Sequence, residues 1–405
     1  MTVTVRPSRA KGVIEAPPSK SMAHRLLIAA GLSDGVSVVD RLSPSEDLLA
    51  TLDCLRALGA DCRYDGSSAT VRGIGGEFRQ KAPHLPCREC GSTLRFFIPI
   101  AAISEEITTF SGSPRLFSRP LTVYEELFSE KGLPFHLDES RLTLAGRLTG
   151  GEFTVKGNIS SQFISGLLFA LPLCQEDSVI RLIPPIESRP YIDLTLSALK
   201  AFGISADWTD DTTISVKGGN RYRAAKVTVE GDWSNAAFFE ALSALGDRLS
   251  LTGLDDDSLQ GDRIARAYFY EMKRGTPTLS IADCPDLAPI LMTFAALNHG
   301  ACFTDTARLA IKESDRGRVM AKELQKCGIT CTVEKNRITV HKGCPTPPKE
   351  ALSGHNDHRI VMALSVLLTR LGGTITGAEA VAKSYPDFFE KLTALSIDCT
   401  VSEDI

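Results

Sequence analysis

Residues 52–66 read LDCLRALGADCRYDG and residues 195–216 read TLSALKAFGISADWTDDTTISV. Both run as an amphipathic helix that stops near a glycine and continues as alternating residues, the pattern of strands. The same pattern recurs as YEELFSEKGLPFHLDESRLTL at 124–144 and VMAKELQKCGITCTVEKNRITV at 319–340, and as FFEKLTALSIDCTVSE at 388–403. Gly59, Gly132, Gly203 and Gly275 fall at intervals of about seventy residues, Gly328 follows after about fifty, and Ser396 holds the last ruler position. Six units of about 68 residues fill a chain of 405.

Between these copies lies a second set of helices. They start at PSKSMAHRLLIAAGL (18–32), CGSTLRFFIPIAAI (90–103), NISSQFISGLLFAL (158–171), GDWSNAAFFEALSAL (231–245), CPDLAPILMTFAAL (284–297) and HNDHRIVMALSVLL (355–368). Each has Ser, Thr, Asn, Asp or Pro in its opening residues and then turns apolar almost all round, so these helices are expected inside a globule. The strands belong outside. Three units make a domain of ordinary size, which predicts an α/β (α+β) chain of two three-repeat domains. The crossovers are expected near Pro17 and Glu230, giving 18–229 as one domain and 1–17 with 230–405 as the other. Between Tyr268 and Cys284 the other copies have room for a strand pair and this one does not, so the fourth repeat is expected to be shortened.

Composition narrows function. Hydrophobic residues make up 43% and charged residues 23%, and 45 basic against 49 acidic side chains leave a net charge of −4. No long block of one sign suggests a nucleic-acid surface or a polybasic membrane arm. The first twenty residues hold no apolar run of signal-peptide length and no window is apolar enough to span a bilayer, so a cytoplasmic protein is expected. Eleven scattered cysteines, an odd number, read as free thiols of a reducing compartment. Cys87 and Cys90 have CxxC spacing without the companion His or Cys pair of a zinc finger. His355 and His358 stand at i and i+3, but Arg359 adjoins them and would repel a cation, so no metal is expected.

The cations that remain are local. Ser19, Lys20, Ser21 and Arg25 mark a helix start suited to anions, and residues 157–162 (GNISSQ) offer another hydroxyl-rich start. Residues 311–316 (IKESDR) alternate charge as a solvated helix entry does, Asp286 stands at a cap position, and Arg119, Tyr191 and Lys383 are expected in loops. Together Lys20, Arg25, Arg119, Lys312, Arg316, Arg359 and Lys383 supply seven cations to an otherwise acidic chain. They suit a pair of small, highly anionic ligands.

PSKSMAHR, GNISSQF, RPYID, KESDR, NDHR and AKSYPDFF, in this order over nearly the whole chain, resemble the 5-enolpyruvylshikimate-3-phosphate synthase family. The resemblance implies two domains of three βαβαββ units, helices inside and sheets outside, with the active site in the interdomain cleft. It implies transfer of the enolpyruvyl group of phosphoenolpyruvate to the 5-hydroxyl of shikimate 3-phosphate, releasing phosphate, in the pathway to chorismate and aromatic amino acids. No cofactor is implied, and a monomer is expected. By motif, phosphoenolpyruvate would meet Lys20, Gly91, Arg119, Gln162, Arg316, Arg359 and Lys383. Shikimate 3-phosphate would meet Ser21, Arg25, Ser160, Ser161, Ser188, Tyr191, Asp286 and Lys312.

Addition and elimination through a tetrahedral intermediate require a base for the hydroxyl and a proton carrier for the methylene carbon. Asp286 is the candidate for the first and Glu313 for the second, with Lys20 and Lys383 stabilising charge or relaying protons. Glu89 and Arg308 stand where many members have Asn. The family is the target of glyphosate, an inhibitor slightly longer than phosphoenolpyruvate. A related enzyme that uses UDP-N-acetylglucosamine carries a loop cysteine, which the loop SGSPRLFSRP at 111–120 lacks. A repeat clamp around nucleic acid would call for a broad basic lining that this chain does not have.

Overall fold

The computed structural model describes residues 1–76 and 81–402. Two compact units emerge, Met1–Ser19 with Gly231–Ile405, and Lys20–Glu230. The divisions expected after residues 17 and 229 thus lie at 19/20 and 230/231, because Pro18 bridges Gly231 and the Asp232 amide donates to the Pro17 carbonyl.

One pattern builds both units. In the unit Lys20–Glu230, strand Gly151–Lys156 leads through helix Ser161–Ala170 to the parallel strand Ser178–Ile183. Helix Arg189–Ala201 and the hairpin Ala206–Trp208 and Thr213–Val216 follow, with Thr213–Val216 lying antiparallel against Ser178–Ile183. The sheet of His84–Pro86, Thr108–Ser111, Arg141–Leu144 and Phe135–Leu137 repeats that order. The remaining sheet of this unit takes its outer parallel strand, Lys226–Thr228, from the far end of the segment to pair with Val36–Asp40. The other unit closes its last sheet in the same non-local way, with Thr2–Val5 between Gly373–Thr376 and Cys399–Ser402.

The ruler residues owe their positions to backbone geometry. Gly59, Gly132, Gly203 and Gly328 have φ between 68° and 103°, the left-handed turn that ends a helix before a hairpin, and Ser396 with φ 69° ends its helix the same way before the single strand Cys399–Ser402. Gly275 differs. Its φ is 172°, extended backbone, and helix Ala265–Arg274 runs on to strand Thr278–Ser280 with no hairpin between. The sheet beside that helix has two strands, Lys11–Glu15 and Arg248–Thr252. The last residue of the sixth copy, Glu403, lies outside the described residues.

The second set of helices fills the interiors. Residues 23–32, 93–101, 163–170, 288–296 and 358–369 are buried without a break, while Ala265–Arg274 buries only Ala265, Phe269 and Met272, an i, i+4, i+7 stripe. Each unit has its own core. Phe96 against Phe169 and Tyr124 against Phe163 anchor one, and Phe239 against Tyr385 and Phe388 anchors the other. A buried aromatic ring of this kind contributes roughly 1.5–3 kcal/mol. These contacts fix the helix starts, which carry the polar residues.

Candidate active site

In the unit Lys20–Glu230 the opening turns of three interior helices are cross-linked by polar side chains. Lys20, first residue of helix Lys20–Leu32, places Nζ 2.8 Å from the Asp47 carboxylate, with both side chains about 15% exposed. Gln162 donates to Ser92 Oγ at 2.8 Å and accepts from Arg95 Nη1 at 2.8 Å, tying helix Ser161–Ala170 to helix Gly91–Ala101. Ser160 caps the former, its hydroxyl accepting from the Gln162 amide, and Ser161 is buried behind it. Gly91 opens the latter under a sulfur cap from Cys90, and the Arg119 guanidinium lies against its Cα.

Arg25 is 3% exposed and donates to Thr195 Oγ1 at 2.8 Å, to the carbonyls of Ser21 and Tyr191 at 2.7 and 2.9 Å, and it lies over the Phe96 ring. Burial pushes its guanidinium down to about 10, so it stays a cation at neutral pH. Ser188, buried with φ 58°, precedes helix Arg189–Ala201 and turns the chain so that Tyr191 meets Arg25.

The other unit gathers a denser ionic cluster. Asp286, in the short turn before helix Ala288–Ala296, accepts from Lys312 at 3.1 Å and Arg316 at 2.7 Å, and Arg359 stands 3.3 Å away. Arg316 is 1% exposed and reaches three carboxylates. Its Nη2 meets Glu313 at 2.7 Å, Nε meets Asp357 at 2.9 Å, and Nη1 meets Asp286. Asp357 also caps helix His358–Leu371 and accepts from Ser314. Burial disfavours every charge here, and pairing overcomes it for Asp286, Arg316 and Arg359 but not for Lys312. Against burial, Arg359, Lys312 and Arg316 hold the Asp286 carboxyl well below the usual range, while Asp357, Glu313 and Asp286 raise Arg316. Lys312 goes the other way, since burial lowers it more than Asp286 raises it. Lys383 donates to the Asn356 carbonyl at 2.8 Å.

Sequence reasoning missed several members. Arg95 gave a signal, a lone cation in an otherwise apolar stretch. Asp357 gave a signal too, since an aspartate one residue before an apolar helix is a cap position. Asp47, Ser92 and Thr195 gave none, because their partners are distant in sequence. Arg308 turns to the Ala282 carbonyl, and His355 turns to Glu323 at 2.8 Å.

The EPSP synthase (3-phosphoshikimate 1-carboxyvinyltransferase) family pattern matches residues 5–392. A Clostridium kluyveri protein named 3-phosphoshikimate 1-carboxyvinyltransferase is 37% identical over 97% of this chain and 97% of its own length. A namesake from Clostridium acetobutylicum is 38% identical over 98% and 97%. Among solved structures, EPSP synthase from Acinetobacter baumannii superposes with a TM-score of 0.79 at 23% identity, covering 99% of this chain and all of the other. The enolpyruvyl transferase NikO from Streptomyces tendae gives 0.81 at 16% identity, covering 100% and 99%. The fold is the one these enolpyruvyl transferases share. The chain belongs to the EPSP synthase family, enzymes of the shikimate pathway to aromatic amino acids. Among the described residues no helix is long and apolar enough to cross a membrane.

Proposed function

We propose that this chain carries out its family's reaction, moving the enolpyruvyl group of phosphoenolpyruvate to the 5-hydroxyl of shikimate 3-phosphate with release of phosphate. The hydroxyl oxygen bonds to C2 of phosphoenolpyruvate as the double-bond pair takes a proton at the methylene carbon. The methyl carbon then returns a proton, the double bond re-forms, and the bond to phosphate breaks. The two units serve as the domains of one enzyme, a cytoplasmic monomer, and the eleven free cysteines suit a reducing compartment.

The observation that carries this reading is Asp286 shared among Lys312, Arg316 and Arg359. In this state the carboxylate is a weak base. Incoming phosphate and carboxylate groups draw the two arginines toward themselves, and Asp286, left with fewer cations, rises toward the range where it orients and deprotonates the hydroxyl. Glu313, on the far side of Arg316, exchanges the proton at the methylene. By family motif, the phosphoenolpyruvate contacts are Lys20, Gly91, Arg119, Gln162, Arg316, Arg359 and Lys383. Lys312 joins Ser21, Arg25, Ser160, Ser161, Ser188 and Tyr191 on shikimate 3-phosphate. Lys20 and Lys383 stabilise the developing charge.

A phosphate-release assay with phosphoenolpyruvate tests the reading. Release is expected with shikimate 3-phosphate and none with UDP-N-acetylglucosamine. Release with the nucleotide sugar alone would overturn it.

A further inference from the structure

His24, Asp47 and Cys90 come from three different elements, the helix Lys20–Leu32, the helix Glu46–Ala57 and the cap of helix Gly91–Ala101. A ring nitrogen of His24, a carboxylate oxygen of Asp47 and the Cys90 sulfur all lie within 4.8 Å of one another. His24 and Cys90 are each 1% exposed, and Asp47 is the member nearest solvent.

The hydrogen bonds around this cluster run in one direction. His24 Nδ1 meets Thr51 Oγ1 at 2.6 Å, Thr51 Oγ1 meets Thr93 Oγ1 at 2.8 Å, and Thr93 Oγ1 donates to Cys90 Sγ at 3.0 Å. The Thr93 amide donates to the same sulfur at 3.3 Å. With Thr93 donating to sulfur, Thr51 donates to Thr93 and Nδ1–H donates to Thr51. The proton therefore sits on Nδ1, and Nε2 carries the lone pair. Nε2 is buried and has no hydrogen-bond partner among the described residues. Burial and the Asp47 charge push the Cys90 thiol up, against the two Thr93 hydrogen bonds, so the sulfur is a thiol until a cation displaces its proton.

We propose that His24, Asp47 and Cys90 bind a thiophilic divalent cation of the zinc class, and that its binding takes Asp47 from Lys20 and lowers turnover. The inhibitory half rests on Lys20 acting in the reaction proposed above. One imidazole nitrogen, one thiolate and one carboxylate with a fourth position open to water is a ligand set for zinc, whereas magnesium and calcium select oxygen ligands. Tetrahedral zinc bonds put ligand atoms about 3.5 Å apart, so a small turn of the Asp47 carboxylate closes the set. On binding, the metal replaces the Cys90 thiol proton, which passes to solvent, and replaces the Lys20 ammonium at Asp47, 2.8 Å away in its absence.

Cobalt(II) titration tests the site without substrate, in a Cys344→Ser background that removes the exposed cysteine. A thiolate-to-cobalt charge-transfer absorption is expected at one equivalent, displaced by zinc, absent in Cys90→Ser and weakened about tenfold or more in His24→Asn. Absorption that never appears, or persists in Cys90→Ser, overturns the site. Zinc is expected to inhibit over the range in which it displaces cobalt, with chelator restoring the rate. Full turnover in zinc-saturated enzyme overturns the link to Lys20. Because cobalt binding is read without turnover, a failure of the assigned reaction cannot be mistaken for a failure of the site.

Discussion

The guanidinium of Arg119 fills the space that a side chain at Gly91 would need, since a Cβ built there falls 2.5 Å from Nη1 and 2.9 Å from Cζ. The Gly91 backbone is not in the left-handed region, so the glycine answers to a close approach and not to a turn. Gly91→Ala is expected to fold and to push Arg119 aside by several tenths of an ångström. Phosphoenolpyruvate then loses part of one contact, while glyphosate, being longer, also meets the methyl group. The inhibition constant should rise about tenfold to a hundredfold, or about 1–3 kcal/mol, and the KM for phosphoenolpyruvate much less. Inhibition kinetics on both proteins check this, and equal shifts would remove Gly91 from the specificity argument.

Glu313→Gln tests the proton carrier. The amide oxygen can still accept from Arg316 Nη2, which Glu313 holds at 2.7 Å, but the side chain cannot exchange a proton. Turnover should fall by about two orders of magnitude or more while shikimate 3-phosphate still binds, as read by calorimetry. A near-normal rate would exclude the role.

Local geometry and long-range pairing were unequally legible in the sequence. The helix-ending glycines at 59, 132, 203 and 328 announced hairpins because a left-handed turn selects glycine, and Ser396 was found only through spacing. Gly275 ends its helix as the interval requires, but in extended backbone, and the hairpin is missing there as the short spacing to Gly328 announced. That Lys226–Thr228 completes the first sheet and Thr2–Val5 the last depends on backbone partners nearly two hundred or more residues away, which no local pattern encodes. Within the site, the charged residues of KESDR and NDHR were legible as residues but not as a network. Only folding shows that Asp357 and Glu313 share Arg316.

Arg316→Lys tests that network. A lysine keeps the charge but offers one nitrogen where the guanidinium meets Asp286, Glu313 and Asp357 in different directions. Buried carboxylates lose their partners, at a cost of about 3–5 kcal/mol by analogy with broken buried ion pairs. The urea midpoint should drop and kcat/KM should fall more steeply than for Lys383→Arg, whose parent lysine is half-buried and bonds a carbonyl. Wild-type stability in Arg316→Lys would mean that the three carboxylates do not depend on this fork.

His24 gives the stability of its unit a pH dependence with a definite sign. Burial holds the folded imidazole near 3 against an ordinary 6.5, so between those values the unfolded chain binds a proton that the folded chain refuses. Stability is complete above pH 6.5 and declines as pH falls toward 3, by about 1.4 kcal/mol per pH unit well inside the window. Asp286 is depressed too and acts with the same sign, but its window opens only below about 4, the unfolded carboxyl value. The interval from pH 7 to pH 5 therefore isolates histidine. His24→Asn can keep a hydrogen bond to Thr51 and removes the titration, whereas the other histidines are common to both proteins. Urea unfolding with chelator present, to keep cations off the Cys90 sulfur, should show the wild type losing about 2 kcal/mol more than the variant between pH 7 and pH 5. Parallel curves would mean that the ring reaches solvent protons in the folded state and does not set this pH dependence.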